Sequence, residues 1–348
     1  MYKILKKNLK IIKKSKKKKV FFFGSTVKRE SNSFYITNIR ENKKFIYFGA
    51  VIYSNYHAKK IASIVDGHFN LAFVDLEKKV NSKNKNVLIN LEREVKDKLI
   101  KTEVFTYKGN DLTVQACETL INDIYTNDIR GVGGKKALIL GAGNIGFKIA
   151  QKLVESGSNV YLYRRNKKLL KKIVFTINSL LPKATIARAK SINKINNLKK
   201  FDLIVGTTNG IPLLKKKHIL NLKKDANIID VGKGLLEKKA LKLSINQNIF
   251  VYRLDVSPAY EGYLENIYST KNLYLNKFIS KRKIKNVYLI KRGILAQENS
   301  IIVDNVSNPK KIYGISDGKG SFKKISLKKF DTIKRKYFRK WKKKIIIL

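Results

Sequence analysis

Ala137-Leu138-Ile139-Leu140-Gly141-Ala142-Gly143-Asn144-Ile145-Gly146 joins a run of four apolar residues to a G-x-G-x-x-G pattern. Four apolar residues ended by glycine suit a short buried strand. The following stretch, 145–155, places Ile145, Ile149, Ala150 and Leu153 on one helical face before Gly157. Glycines between a strand and a helix at this spacing make a phosphate cradle. Gly141 permits the tight turn, Gly143 lets backbone approach a pyrophosphate, and Gly146 lets helix and strand touch. The free N–H groups of the first helical turn, including Asn144 and Ile145, then face the anion. A glycine turn without a ligand is the alternative.

Working outward, short apolar runs alternate with helical patterns. Strands are expected at 160–163, 184–189, 201–205, 226–231 and 249–254. Helices are expected at 169–181, ended by Pro182, and at 213–223 and 237–243. Continuous Val/Ile/Leu runs between helices predict an α/β fold, a Rossmann doubly wound parallel sheet covered on both faces. Ahead of it, strands at 45–53 and 71–74 and helices at 56–65, 88–99 and 112–124 predict an N-terminal α/β catalytic domain. Beyond it, strands are expected at 287–290 and 301–303, and a basic helix at 333–344. The predicted division is a basic N-terminal extension over 1–30, a substrate domain over 31–130, a cofactor domain over 131–257, and a C-terminal return over 258–348 that completes the cleft.

The second strand ends in Tyr163-Arg164-Arg165-Asn166, where binders of NAD usually carry an acid for the ribose hydroxyls. Two adjacent arginines suit a 2′-phosphate instead, because guanidinium groups match phosphate bidentately. The expected cofactor is therefore NADP (NADPH). The same argument disfavours a methyltransferase, which wants an acid at this strand end. Thr207, Thr208 and Asn209 follow the fourth strand and Asp230-Val231-Gly232 ends the fifth, so these residues are candidates to line the nicotinamide side; ordinary turns explain them equally.

Composition sets outer bounds. The chain has 348 residues, 43% hydrophobic and 29% charged, enough for two packed domains. One cysteine, Cys117, precludes an intramolecular disulfide, and His57, His68 and His218 have no zinc spacing. The net charge of +51 comes from 64 Lys and 12 Arg against 25 acids. Abundant Lys, Asn and Ile with only four prolines is the bias of A/T-rich coding, so the charge is read as compositional, with non-specific polyanion contact as its by-product. No signal-peptide pattern and no membrane-length apolar span is visible, and a cytoplasmic location is expected.

Residues 131–256 resemble the nucleotide-binding domain of the superfamily that joins amino-acid, methylenetetrahydrofolate and shikimate dehydrogenases with glutamyl-tRNA reductase. The matching stretches are Gly133 to Gly146, Arg164-Arg165-Asn166, Phe201 to Thr208, and Ile228-Ile229-Asp230-Val231-Gly232. In the resemblance Arg165 falls on the arginine that holds the NADP 2′-phosphate. The Ser-x-Ser-Pro shikimate-binding stretch and the reductase's catalytic-cysteine motif are absent. The resemblance implies a catalytic domain, a cofactor domain and a C-terminal return, and homodimers as a family expectation.

Hydride chemistry on a small polar substrate also needs a proton handler. Asp75-Leu76-Glu77-Lys78-Lys79 leaves the end of a first-domain strand, which nominates Lys78 with Asp75 and Glu77 as charge partners. Solvent exposure is the competing reading for a single lysine. His68 is a second candidate base, against a structural loop histidine. Asp255, before Ser257-Pro258, would anchor substrate or orient Lys78, against the reading of a turn cap. The expected activity is an NADP-dependent dehydrogenase; the alternatives are a non-catalytic nucleotide-binding sensor and a basic nucleic-acid-associated protein.

Overall fold

The strand Lys136–Leu140 lies inside a six-stranded parallel sheet in the order Ala189–Ser191, Asn159–Tyr163, Lys136–Leu140, Leu203–Gly206, Asn227–Asp230, Val251–Arg253. Ranked along the chain this is 3-2-1-4-5-6, the doubly wound order. Successive strand residues alternate between two cores. Ile139, Leu162 and Val205 pack with Ile149, Leu153 and Ile177 on one side. On the other side Leu138, Leu140, Ile204 and Ile228 pack with Leu214, Ile219 and Ala240. The winding reverses between Lys136–Leu140 and Leu203–Gly206, which leaves a crevice outside their carboxyl ends.

This computed structural model describes residues 1–84, 86–247, 249–271, 281–338 and 346–347. The chain divides into Met1–Glu261 and Gly262–Leu348. The first unit contains a second sheet, ordered Phe34–Ile36, Phe45–Ile52, Lys18–Gly24, Leu71–Asp75, Glu103–Tyr107, with Arg40–Glu41 also paired to Phe45–Ile52. Its last four strands are parallel, with a switch point between Lys18–Gly24 and Leu71–Asp75.

Residues 1–30 are therefore not an appendage. Val20, Phe21 and Phe23 are wholly buried in a strand flanked on both sides by others. Ahead of it the helix Tyr2–Lys13 buries Leu5 and Ile12, two turns apart. Lysines on the solvent side of that helix mask its apolar stripe in composition but not in packing.

Most predicted elements appear with shifted ends. The predicted helix 88–99 contracts to Leu91–Lys96 because Asn90 accepts the Arg93 N–H and caps it. The predicted strand 184–189 begins later, as Ala189–Ser191, because Thr185 N–H closes a turn on the Pro182 carbonyl. The helix Gly109–Ile124 starts three residues earlier than its apolar pattern.

The second unit is a sheet ordered Lys281–Ile284, Val287–Lys291, Ile301–Val303, Lys311–Ile315, Ile346–Ile347, with both strands predicted there present. Leu289, Ile301, Val303, Ile312 and Phe338 form its core. Its helix, Leu327–Tyr337, begins before the predicted 333–344, and 339–345 lie outside the described residues. Among the described residues no helix is long and apolar enough to cross a membrane.

Candidate functional site

Each glycine of the turn meets the constraint its position implies. Gly141 has φ +107°, closed to most side chains. A Cβ on Gly146 would lie 2.2 Å from the Gly141 carbonyl oxygen and 2.7 Å from Thr207 Oγ1, so only glycine lets the helix Asn144–Glu155 sit this close. A Cβ on Gly143 would meet nothing within 4 Å. The space above Gly143 faces the helix N-terminus, whose cap makes no side-chain hydrogen bond. Backbone N–H groups with an open approach suit a pyrophosphate, so the residues present fit the expected dinucleotide.

Arg164 and Arg165 divide the work. Arg164 donates to the Ala142 carbonyl and so braces the glycine turn. Arg165 is exposed at the strand end, one residue before Asn166, which caps the helix Lys167–Ser179 by accepting the Leu169 N–H at 2.9 Å. Lys167 reaches the Asn193 carbonyl at 3.0 Å and lies 4.4 Å over the Tyr163 ring. Across the crevice Thr207 donates to the Gly141 carbonyl, Thr208 donates to the Ile211 carbonyl at 3.1 Å, and Asn209 is exposed. Gly232 packs against the Thr208 backbone where a Cβ would collide at 1.7 Å. Asp230 accepts the Gly234 N–H with Oδ2 at 2.7 Å, while its Oδ1 is buried without a hydrogen-bond partner.

The switch point of the other sheet carries a dense polar cluster. Asp75, 2% exposed, ends its strand. Its Oδ2 accepts from Lys79 Nζ at 2.6 Å and Ser25 Oγ at 3.3 Å; Oδ1 accepts from the N–H groups of Glu77 and Gly109. Lys79 also reaches Glu77 at 3.1 Å and the Ser25 carbonyl at 3.4 Å. A buried ion pair survives desolvation only when its remaining valences are filled this way. Above the cluster the rings of Tyr107 and Tyr260 pack edge to face with centroids 5.6 Å apart, and the Tyr107 hydroxyl donates to the Phe23 carbonyl at 3.4 Å. Burial raises both, holding Tyr107 protonated and pushing Tyr260 up to about 12.

One helix ties the two switch points together. Gly109–Ile124 begins at the cluster, where Asp75 and Glu77 accept its Gly109 and Asn110 N–H groups. Within its first turn Asp111 pairs with Lys148 of the glycine-turn helix. Cys117, on the same helix, is fully buried.

The sequence candidates scatter. Lys78 is not beside Asp75: it turns away to Asn90 Oδ1 at 2.6 Å, and its neighbour Lys79 takes the predicted place. A lysine leaving a strand points by the local turn, and Asp75 fixes that turn through Glu77 N–H. His68 is exposed and precedes Leu71–Asp75, so it lies at the opposite edge of the sheet from Asp75. Asp255 accepts from both the N–H and the Oγ of Ser257, the turn-capping alternative, and lies 3.7 Å from Arg40. Those Ser257 hydrogen bonds hold its carboxyl below the usual range. Ser25 and Tyr260 escaped the sequence reading; Ser25 follows a strand hidden among lysines.

No protein family profile matches the chain, and no curated protein sequence matches it. Solved structures similar to it include one chain of dipicolinate synthase from Bacillus halodurans, 12% identical, covering 72% of this chain and 97% of that one, with a TM-score of 0.37. A shikimate dehydrogenase in complex with NADP+ is 14% identical over 68% of this chain and 84% of its own, with a TM-score of 0.37. A D-isomer specific 2-hydroxyacid dehydrogenase from Lactobacillus delbrueckii ssp. bulgaricus, in its NAD-complexed form, is 15% identical over 58% and 62%, with a TM-score of 0.31. Likeness this distant leaves the function to the geometry of the two switch points.

Proposed function

We propose that this protein is an NADP-dependent dehydrogenase acting on a small polar hydroxy-, keto- or amino-acid-like substrate. The observation that carries the reading is the open approach above Gly143 at the switch point of a 3-2-1-4-5-6 sheet. The Gly141–Gly146 turn and the N–H groups of Asn144 and Ile145 hold the pyrophosphate. Arg165 takes the 2′-phosphate while Arg164 keeps the turn in place, and Thr207, Thr208 and Asn209 border the nicotinamide. When bound, the nicotinamide supplies the hydride donor or acceptor. The first sheet carries the substrate.

Proton handling falls to Lys79. Asp75 and Glu77 hold its ammonium at a strand's carboxyl end, where it exchanges its long 3.4 Å contact with the Ser25 carbonyl for a hydrogen bond to the substrate oxygen or nitrogen and gives or takes the proton there. Ser25, bonded to the same carboxylate, fixes the direction of the pair.

The test is titration with NADPH and NADH followed by a turnover screen on hydroxy-, keto- and amino-acids, with Lys79→Met and Lys78→Met in parallel. Lys79→Met abolishes turnover and leaves NADPH affinity within about twofold; Lys78→Met changes little. Removing Lys79 alone strands the Asp75 charge, at about 3–5 kcal/mol, so Asp75→Asn/Lys79→Met is measured as the folded control. Absence of dinucleotide binding, or normal turnover by Lys79→Met, overturns the proposal. Binding without turnover of any substrate favours the sensor.

A further inference from the structure

The second unit is more basic than the rest of the chain. Residues 262–348 hold 23 Lys+Arg against 5 Asp+Glu, a net +18 in 87 residues, whereas the remaining 261 residues carry +33. That is one net charge about every five residues against one about every eight.

The sheet of this unit has two different faces. One packs Leu289, Ile301 and Val303 under Ile333 and Tyr337 of the helix Leu327–Tyr337. On the other, Ile290 and Ile302 are roofed by the half-buried rings of Tyr288 and Tyr313. Strand register puts Lys281 opposite Ile290 and Lys283 opposite Tyr288 on that same face. Lys281 Nζ lies 3.9 Å over the Tyr288 ring, and the Arg292 guanidinium lies 4.7 Å over Tyr313. A third ring, Phe322, is 52% exposed and rests on Gly314, directly opposite Ile302.

We propose that this face binds single-stranded nucleic acid. Aromatic rings spread over a sheet, two of them paired with a cation, are the parts of a stacking platform: bases lie on the rings while lysine and arginine take the intervening phosphates. The cations over the rings are weakly held, since an exposed cation–π contact is worth only about 0.5–1 kcal/mol, and they exchange readily onto phosphate. Base pairs within a duplex present no free faces to such rings, and a membrane would be met by a continuous apolar rim rather than by tyrosines under cations.

The experiment uses the full chain and a fluorescein-labelled oligouridylate of about 12 nucleotides, within the site sizes typical of sheet platforms. Anisotropy is read across a salt series, beside a duplex of equal length and phosphatidylserine vesicles. Tyr288→Leu and Tyr313→Leu each weaken binding about tenfold at fixed salt, and Phe322→Ala, which leaves the core untouched, weakens it severalfold. Tyr288→Phe and Tyr313→Phe stay within about twofold of the parent. Arg292→Ala lowers the slope of log affinity against log salt by about one, whereas Lys172→Ala, exposed on a helix of the first unit, has no effect on affinity. The proposal is overturned if the duplex binds as tightly as the single strand, if only the vesicles bind, if the leucine and Phe322 variants bind like the parent, or if Lys172→Ala weakens binding as much as Arg292→Ala.

Discussion

Two alanine substitutions three residues apart in one turn separate binding from packing. Gly143 has φ −92° and ψ −160°, an extended conformation open to any residue, and a Cβ there meets nothing within 4 Å. Alanine is a poorer N-cap than glycine, by less than about 1 kcal/mol, and the stiffer unfolded chain returns about 0.4–1 kcal/mol. The melting temperature of Gly143→Ala therefore stays within about 2–4 °C of the parent. The methyl group nevertheless fills the approach that the pyrophosphate would use. Loss of one N–H···phosphate hydrogen bond, about 1.5–3 kcal/mol, weakens NADPH about ten- to hundredfold.

Gly146→Ala behaves in the opposite order. Its Cβ would lie 2.2 Å from a backbone oxygen, so the helix must retreat from the strand end. Overpacking of this kind costs about 1–3 kcal/mol, or about 2–12 °C in a domain of this size, and weakens NADPH only as a consequence of the displaced helix. Differential scanning fluorimetry and NADPH fluorescence titration on both variants decide the matter. If Gly143→Ala binds NADPH within twofold of the parent, the turn does not cradle a phosphate and the reasoning fails. If Gly146→Ala melts with the parent, the close approach is wrong.

Three further outcomes are expected. Arg165→Ala raises the NADPH Kd by about tenfold or more and leaves the NADH Kd unchanged, whereas Arg164→Ala weakens both because it releases the Ala142 carbonyl; equal losses of the two cofactors on Arg165→Ala would remove the 2′-phosphate contact. Burial opposes ionisation of Asp202, but the Lys136 N–H and Lys223 hold its carboxyl below the usual value. A depressed folded pKa stabilises above the unfolded value of about 3.9 and is lost as pH falls through the folded one, so Asp202→Asn melts about 2–4 °C lower at pH 7 and converges with the parent in acid. A gap that persists at the acid end, measured in a melting series, would contradict this. The Cys117 thiol is pushed up to about 12 by burial first and by Glu118 second; a thiol reagent at pH 8 should label the denatured chain once and the native chain not at all.

The glycine turn and its sheet were legible because each signal is local. Gly141, Gly143 and Gly146 answer three steric demands within six residues, and the runs around Leu138, Ile204 and Ile228 must be buried on both faces whatever surrounds them. The strand Lys18–Gly24 was not legible as a sheet member. Seven positions flanked by lysines read as a tail until the contacts of Phe21 with Phe48 and Phe69, 27 and 48 residues away, are known.

The lysine at the first switch point shows where sequence reasoning runs out. Lys78 and Lys79 are chemically identical neighbours, and the pattern Asp75-Leu76-Glu77-Lys78-Lys79 favours neither. The choice is made by groups far away in the chain: Ser25, 50 residues earlier, and Gly109, 34 residues later, fill the other valences of Asp75 and fix where its remaining lone pair points. Lys79 occupies that direction, and Lys78 finds Asn90 instead. The helix that begins at Gly109 then runs beside Asn144–Glu155, linked through Asp111 and Lys148, so the same backbone that orients the ammonium also fixes its height relative to the glycine turn. Breaking the link with Asp111→Asn should therefore lower turnover more than it lowers NADPH affinity, because it loosens the register between two sites while leaving each intact. An equal loss of both would mean that Asp111 merely supports the cofactor helix.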